Sequence, residues 1–166
     1  MMLGMSISTF TTVHTIISLI GIFTGLAVLV GMLNGRMSGG WTAAFLATTV
    51  LTSVTGFMFP FNGLLPSHIF GIISLAVLAA ALAALYLFNL DGPWRWVYVV
   101  GAVLALYLNV FVGVVQAFQK LAFLRPLAPT QSETPFLVAQ SAVLVLFLVA
   151  GYLSLKRFHP GMRAHA

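Results

Sequence analysis

Apolar residues run through this chain in five blocks, residues 11–33, 41–61, 68–88, 94–120 and 135–155. Each is near or above the roughly 20 residues that cross a bilayer as a helix. Helix breakers separate them: Asn34-Gly35 and Ser38-Gly39-Gly40 after the first, Pro60 and Pro66 around the second turn, and Asp91-Gly92-Pro93 after the third. Residues 121–134 carry Pro126 and Pro129 and end in Thr134-Pro135, which reads as an N-cap followed by proline at the first helical position. The pattern predicts an all-α fold, a five-transmembrane-helix bundle, as one integral membrane domain over residues 1–166. The opening MMLGMSISTF has no Lys or Arg and so lacks the basic start of a secretory signal peptide, and the first helix is expected to be retained.

Polar side chains are few and regularly placed. In LYLNVFVGVVQAFQK, residues 106–120, Asn109, Gln116 and Lys120 recur at spacings of seven and four, which return to one side of a 3.6-residue helix. An amide that meets only hydrocarbon loses water without gaining a partner, so this stripe is expected to turn toward other helices or a wet cavity. The first helix aligns His14, Ser18, Gly21 and Gly25, the last two forming a GxxxG that admits a neighbouring backbone. The second aligns Thr48, Thr52 and Thr55, the third His68 with Gly71, and the fifth Gln140 with Leu144, Phe147 and Gly151. Alternating helix directions put His14, Thr55, His68, Gln116 and Gln140 toward the same end, so one polar residue per helix is expected at similar depth.

Composition narrows the class. With 61% hydrophobic and 5% charged residues and a mean hydropathy of +1.10, the chain cannot cover a soluble domain with polar surface. The net charge of +5 orients the protein and does not mark a nucleic-acid binder. Across five spans, Arg36, Arg95, Lys156, Arg157 and Arg163 share one side, and Lys120 and Arg125 the other. The richer side is expected in the cytoplasm, with the N-terminus and residues 121–134 outside, in a bacterial inner membrane. The absence of cysteine excludes disulfides, thiolate zinc sites, cysteine-ligated iron–sulfur clusters and cysteine nucleophiles.

The candidate ligand-binding residues are His14, His68, Asn109, Gln116 and Gln140. Two imidazoles on separate helices permit the axial ligands of one b-type haem. Local roles compete: threonines bond their own helix carbonyls, polar side chains join helices, Ser67 is placed to cap the helix that carries His68, and Lys120 reaches the headgroups. No metal site is expected, because Glu133, the one acidic residue on the outer side, lies in a loop. No span contains an acidic residue, which argues against proton-coupled transport, and histidines without a nucleophile or acid partner name no catalytic group.

The stretches TTVLTSVTGFMFPF (residues 48–61), LPSHIFGIISL (65–75), LNVFVGVVQAFQK (108–120) and LAPTQSETPF (127–136) resemble a group of small bacterial multi-pass membrane proteins. The resemblance covers most of the chain and implies no particular activity. Size and helix count are similar to those of the tryptophan-rich sensory proteins, but Trp41, Trp94 and Trp96 do not make their motifs. The leading expectation is an outward-facing polar pocket that binds a small apolar or amphipathic ligand: a lipid, quinone or porphyrin. The alternative is an accessory subunit bound to a membrane-protein partner.

Overall fold

The computed structural model describes residue 4, residues 6–59 and residues 66–160, with residues 66 and 67 described by their backbone alone. Five helices account for most of them: α1 (Ile7–Leu33), α2 (Gly39–Gly56), α3 (Pro66–Leu82), α4 (Trp94–Lys120) and α5 (Thr134–Arg157). A π-helical turn, Ala83–Leu87, extends α3, and a short 3-10 turn, Arg125–Leu127, lies between α4 and α5. Among the described residues four segments are long and apolar enough to cross a membrane: α1, α4, α5 and α3 with its extension (His68–Leu87). The shorter α2, with 18 residues that include Thr42, Thr48, Thr49, Thr52, Ser53 and Thr55, is not among them.

Local chemistry sets the helix ends. Ser6 Oγ accepts from Thr9 N at 3.2 Å and starts α1. At the other end Gly35 takes a positive φ of 64°, while Arg36 N reaches Gly31 O at 2.8 Å and Gly35 N reaches Met32 O at 3.0 Å. This is a Schellman stop, which favours glycine at that position. Two expected caps shift by one residue or more. α3 begins at Pro66, so Ser67 lies inside it, and Glu133 is the N-cap of α5, with Thr134 in the first turn. The expected turn around Pro60, including residues 62–65, lies outside the described residues, as do Arg163 and His165 of the tail.

Sequential helices run antiparallel. Along α1 and α2, Phe10 meets Phe59, His14 meets Thr55, and Gly25 meets Phe45. Ser53 Oγ and Ser74 Oγ lie within hydrogen-bond distance, 3.1 Å, between α2 and α3. Phe70 and Phe111 pack between α3 and α4, and Phe118 and Phe136 pack edge to face between α4 and α5. α4 touches all four other helices and is the centre of the bundle. α5 is peripheral, exposing Leu137, Val138, Val145, Leu146, Leu148 and Val149.

Most buried residues of α4 lie toward its start, with Phe118 buried farther along. Tyr98, Val99, Gly101, Ala102, Val103, Ala105, Leu106 and Leu108 are buried, whereas Gln116 and Lys120 are exposed. The expectation that residues 106–120 form the enclosed stripe is therefore corrected. At the basic end a Cβ on Gly101 would stand 3.1 Å from Ala81 Cβ, and one on Gly25 2.5 Å from Leu106 Cδ1 and 2.8 Å from the Phe45 ring; at the other end one on Gly71 would stand 2.9 Å from the Phe57 ring. At Gly113 the nearest atom is the tip of Ile22, at 3.4 Å.

Arginines finish two helices at that end. Arg95 Nη1 donates to Leu155 O at 2.9 Å and Phe158 O at 2.8 Å, and Arg157 Nη1 reaches Leu33 O at 3.5 Å. Cations are favourable at carbonyl ends because both the open carbonyls and the helix dipole attract them.

Gly25→Ala is expected to lower the melting temperature in detergent. The new methyl collides with Phe45 and Leu106, each only 1% exposed, at an overpacking cost of about 1–3 kcal/mol that exceeds the helix-propensity gain. Gly113→Ala, with ordinary contact to Ile22, should melt at or above wild type. Equal melting of the two variants would contradict the close contact.

Candidate polar site

Gly21 opens a gap that polar groups from two other helices fill. Asn109 Nδ2, Thr48 Oγ1 and Thr49 Oγ1 lie 3.1, 3.3 and 3.4 Å from where a Cβ on Gly21 would stand. Glycine on α1 thus lets α2 and α4 bring an amide and two hydroxyls to one point. Thr48 Oγ1 donates to Ala44 O at 2.7 Å, as a threonine in an apolar helix commonly does. Asn109 Nδ2, Thr49 Oγ1 and Thr52 Oγ1 are buried with no hydrogen-bond partner among the described residues. A buried polar atom without a partner costs on the order of 1–3 kcal/mol, so three near one level of a bundle call for an explanation.

His14 lies two turns from Gly21 along α1, about 10 Å toward the other end of the helix. Its Nδ1 stands 2.8 Å from Thr55 Oγ1, and Phe59 packs edge-on to the ring. Thr55 gives its one hydroxyl hydrogen to Leu51 O at 2.6 Å. His14 must then donate from Nδ1, which leaves Nε2 as an acceptor. The expectation that Thr55 bonds its own helix holds, and the same oxygen also receives the imidazole.

His68 is buried and stacks on Phe57 at a centroid distance of 5.9 Å. α2 packs between α1 and α3, and His14 meets Thr55 in its last turn while His68 meets Phe57, its C-cap. The two histidines therefore sit against opposite sides of α2. A porphyrin ligated by both would need the space α2 occupies, so the residues do not fit the paired b-haem arrangement. Similar depth was legible in the sequence; the helix lying between them was not.

Gln140 Nε2 donates to Phe111 O at 3.1 Å, leaving Oε1 buried and unpartnered. α5 packs on the side of α4 that carries Val103, Tyr107 and Phe118, while Leu106 and Asn109 face α1. Gln140 is thus across α4 from Asn109. Gln116 shares Asn109's side two turns farther along, but it is exposed. The five candidate binding residues consequently do not meet at one point; Asn109 alone joins the central cluster. Thr49, only 1% exposed, is the member the sequence did not single out. It falls outside the stripe of Thr48, Thr52 and Thr55, yet α2 is packed on more than one side, so adjacent residues both face other helices.

Glu133 serves its own loop. Oε1 accepts from Thr130 N at 3.1 Å and Thr130 Oγ1 at 2.8 Å, and Oε2 accepts from Ser132 N at 3.1 Å. Desolvation acts upward on its pKa, but the hydrogen bonds together outweigh it and hold the carboxyl below the usual carboxylate value. No group of three or more His, Asp or Glu able to hold a metal occurs among the described residues. No family model, curated protein or solved structure matches the chain.

Nitrogen NMR of His14 should show the Nδ1–H tautomer in wild type. Thr55→Val removes the acceptor and should shift the population toward Nε2–H. An Nε2–H wild-type ring would contradict the assigned bond.

Proposed function

We propose that this is a five-span protein of a bacterial inner membrane that binds a small amphipathic molecule through an acceptor oxygen, such as a quinone carbonyl or a lipid ester. The observation that carries the reading is that Asn109 Nδ2 and Thr49 Oγ1, buried and unpartnered, converge beside Gly21, with the unpartnered Thr52 Oγ1 about one turn farther along α2. An amide N–H and two hydroxyls can all donate, and a ligand oxygen would relieve their desolvation. The looser packing toward Gly113, where half-buried His14 and exposed Gln116 lie, supplies a route of entry between α1 and α4.

Counting α2 as a span is supported by its register: it follows α1 from the level of Phe10 to that of Gly25. Its 18 residues rise about 27 Å, close to the hydrocarbon thickness, and several of its hydroxyls turn into the bundle. Arg36, Arg95, Lys156 and Arg157 then lie at one end, which the positive-inside rule assigns to the cytoplasm, with the N-terminus outside. A reporter fused after Ala166 should be active only if it works in the cytoplasm; activity of a periplasm-only reporter there would reverse the orientation.

Ligand retention separates this function from its rival, an accessory subunit, which the broad apolar face of peripheral α5 favours. Native mass spectrometry of detergent-purified protein should find a small molecule on wild type. Asn109→Leu should weaken its retention about tenfold, the worth of one good hydrogen bond. The same variant, stripped of ligand, should melt no lower than wild type, because an unpartnered buried amide has been removed. Wild type that purifies empty, with an Asn109→Leu variant that melts lower, would mark the cluster as helix-joining only.

A further inference from the structure

A second set of unpartnered polar groups occurs at the basic end. A small cleft there is lined by Ala27, Val28, Gly31 and Met32 of α1, Arg36, Met37 and Ser38 of the following loop, Thr42 of α2, Tyr98 of α4, and Phe158. We propose that this cleft and its mouth bind a phosphate group, with the headgroup of an anionic phospholipid as its source.

Three observations converge on an anion. The first turn of α2 opens beside the cleft with its N–H groups uncapped: Ser38, at the N-cap, makes no side-chain cap hydrogen bond. A Cβ on Gly39 or Gly40 would meet nothing within 4 Å, so a ligand can approach the backbone directly. An uncapped turn at the start of an 18-residue helix attracts negative charge through its free donors and its dipole.

The second observation is Tyr98. Its side chain is fully buried and lines the cleft, and its hydroxyl lies near that of Thr42 without forming a well-made hydrogen bond. A buried phenol without a well-made hydrogen bond needs an acceptor, and a phosphate oxygen at the mouth provides it through one water in the cleft, whose volume of about 20 Å³ admits one.

The third is charge. Arg36 is exposed at the mouth, and no ion pair engages it among the described residues. The carbonyl end of α1 flanks the same cleft and would repel an anion were its last carbonyls free. They are occupied: Val30 O by Asn34 Nδ2 at 2.8 Å, Gly31 O by Arg36 N at 2.8 Å, and Leu33 O by Arg157 Nη1 at 3.5 Å. The apolar lining, Ala27, Val28, Met32 and Met37, lies where an acyl chain would descend from the headgroup. A guanidinium, a phenol and helix N–H groups over an apolar wall match a phosphodiester attached to lipid.

The test uses full-length protein in neutral detergent, with melting followed as phosphatidylglycerol, phosphatidylcholine or inorganic phosphate is added. Phosphatidylglycerol should raise the melting temperature more than phosphatidylcholine does. Arg36→Gln and Tyr98→Phe should each weaken its apparent affinity about tenfold. Lys156→Gln, which alters an exposed cation over the Tyr152 ring and outside the cleft, should leave it unchanged. Tyr98→Phe removes a hydroxyl that makes no well-formed hydrogen bond, so its lipid-free melting should stay close to wild type and separate binding from folding. A shift from inorganic phosphate that depends on both Arg36 and Tyr98 would support the site with free phosphate as its occupant. Sensitivity to Arg36→Gln and Lys156→Gln alike, without sensitivity to Tyr98→Phe, would reduce the effect to surface charge and overturn the proposal. Absence of any shift from either probe would overturn it as well.

Discussion

The contact at Gly25 is the constraint on which the rest of the bundle depends. Between helices in a membrane there is little hydrophobic driving force, since lipid tails are as apolar as leucine, so association relies on close packing and on hydrogen bonds. Phe45 from α2 and Leu106 from α4 both occupy the space a side chain at residue 25 would take. That shared notch fixes the spacing of α1, α2 and α4. One turn away, the same spacing brings Asn109, Thr48 and Thr49 against Gly21. The polar cluster is thus a consequence of the glycine pair: the backbone approach that gives the bundle its contact also removes these groups from solvent.

Where polar groups do find partners, the partners are mostly backbone. Thr24, Thr48, Ser53 and Thr55 return to carbonyls of their own helices, and Gln140 crosses to a carbonyl of α4. Such bonds let a helix carry hydroxyls through hydrocarbon without building a site. Against that background the unpartnered atoms stand out: Asn109 and Thr49 beside Gly21, Thr52 farther along α2, Tyr98 at the basic end, and Gln140 Oε1 and Ser154 Oγ on α5.

Much of the fold was legible from residue order because membrane helices are bounded by simple chemistry. Asn34-Gly35 and Asp91-Gly92-Pro93 fall where chain direction reverses, and each predicted block contains a helix. The GxxxG at Gly21 and Gly25 is a true contact. The azimuth of polar residues about neighbouring helices was less legible. Asn109 and Gln116 share a side of α4, but periodicity carries no information on how far neighbours stay close, and Gln116 lies where they do not. His14 and His68 were correctly placed on separate helices, yet only the packing order puts α2 between them. Thr49 escaped notice because a stripe assumes one inward face, whereas α2 meets α1, α3 and α4.

Arg95 joins the two ends of a long stretch of sequence, since its guanidinium at the start of α4 holds the carbonyls of Leu155 and Phe158 after α5. During synthesis α4 emerges first, and its arginine has no carbonyl to hold until some sixty residues later. α5 is therefore the natural last arrival: it is the least enclosed helix, and its terminus docks onto an anchor already in place. Assembly of this protein would then finish with a latch, and a chain cut short before Leu155 would leave α1 to α4 together with their closing residue ungripped.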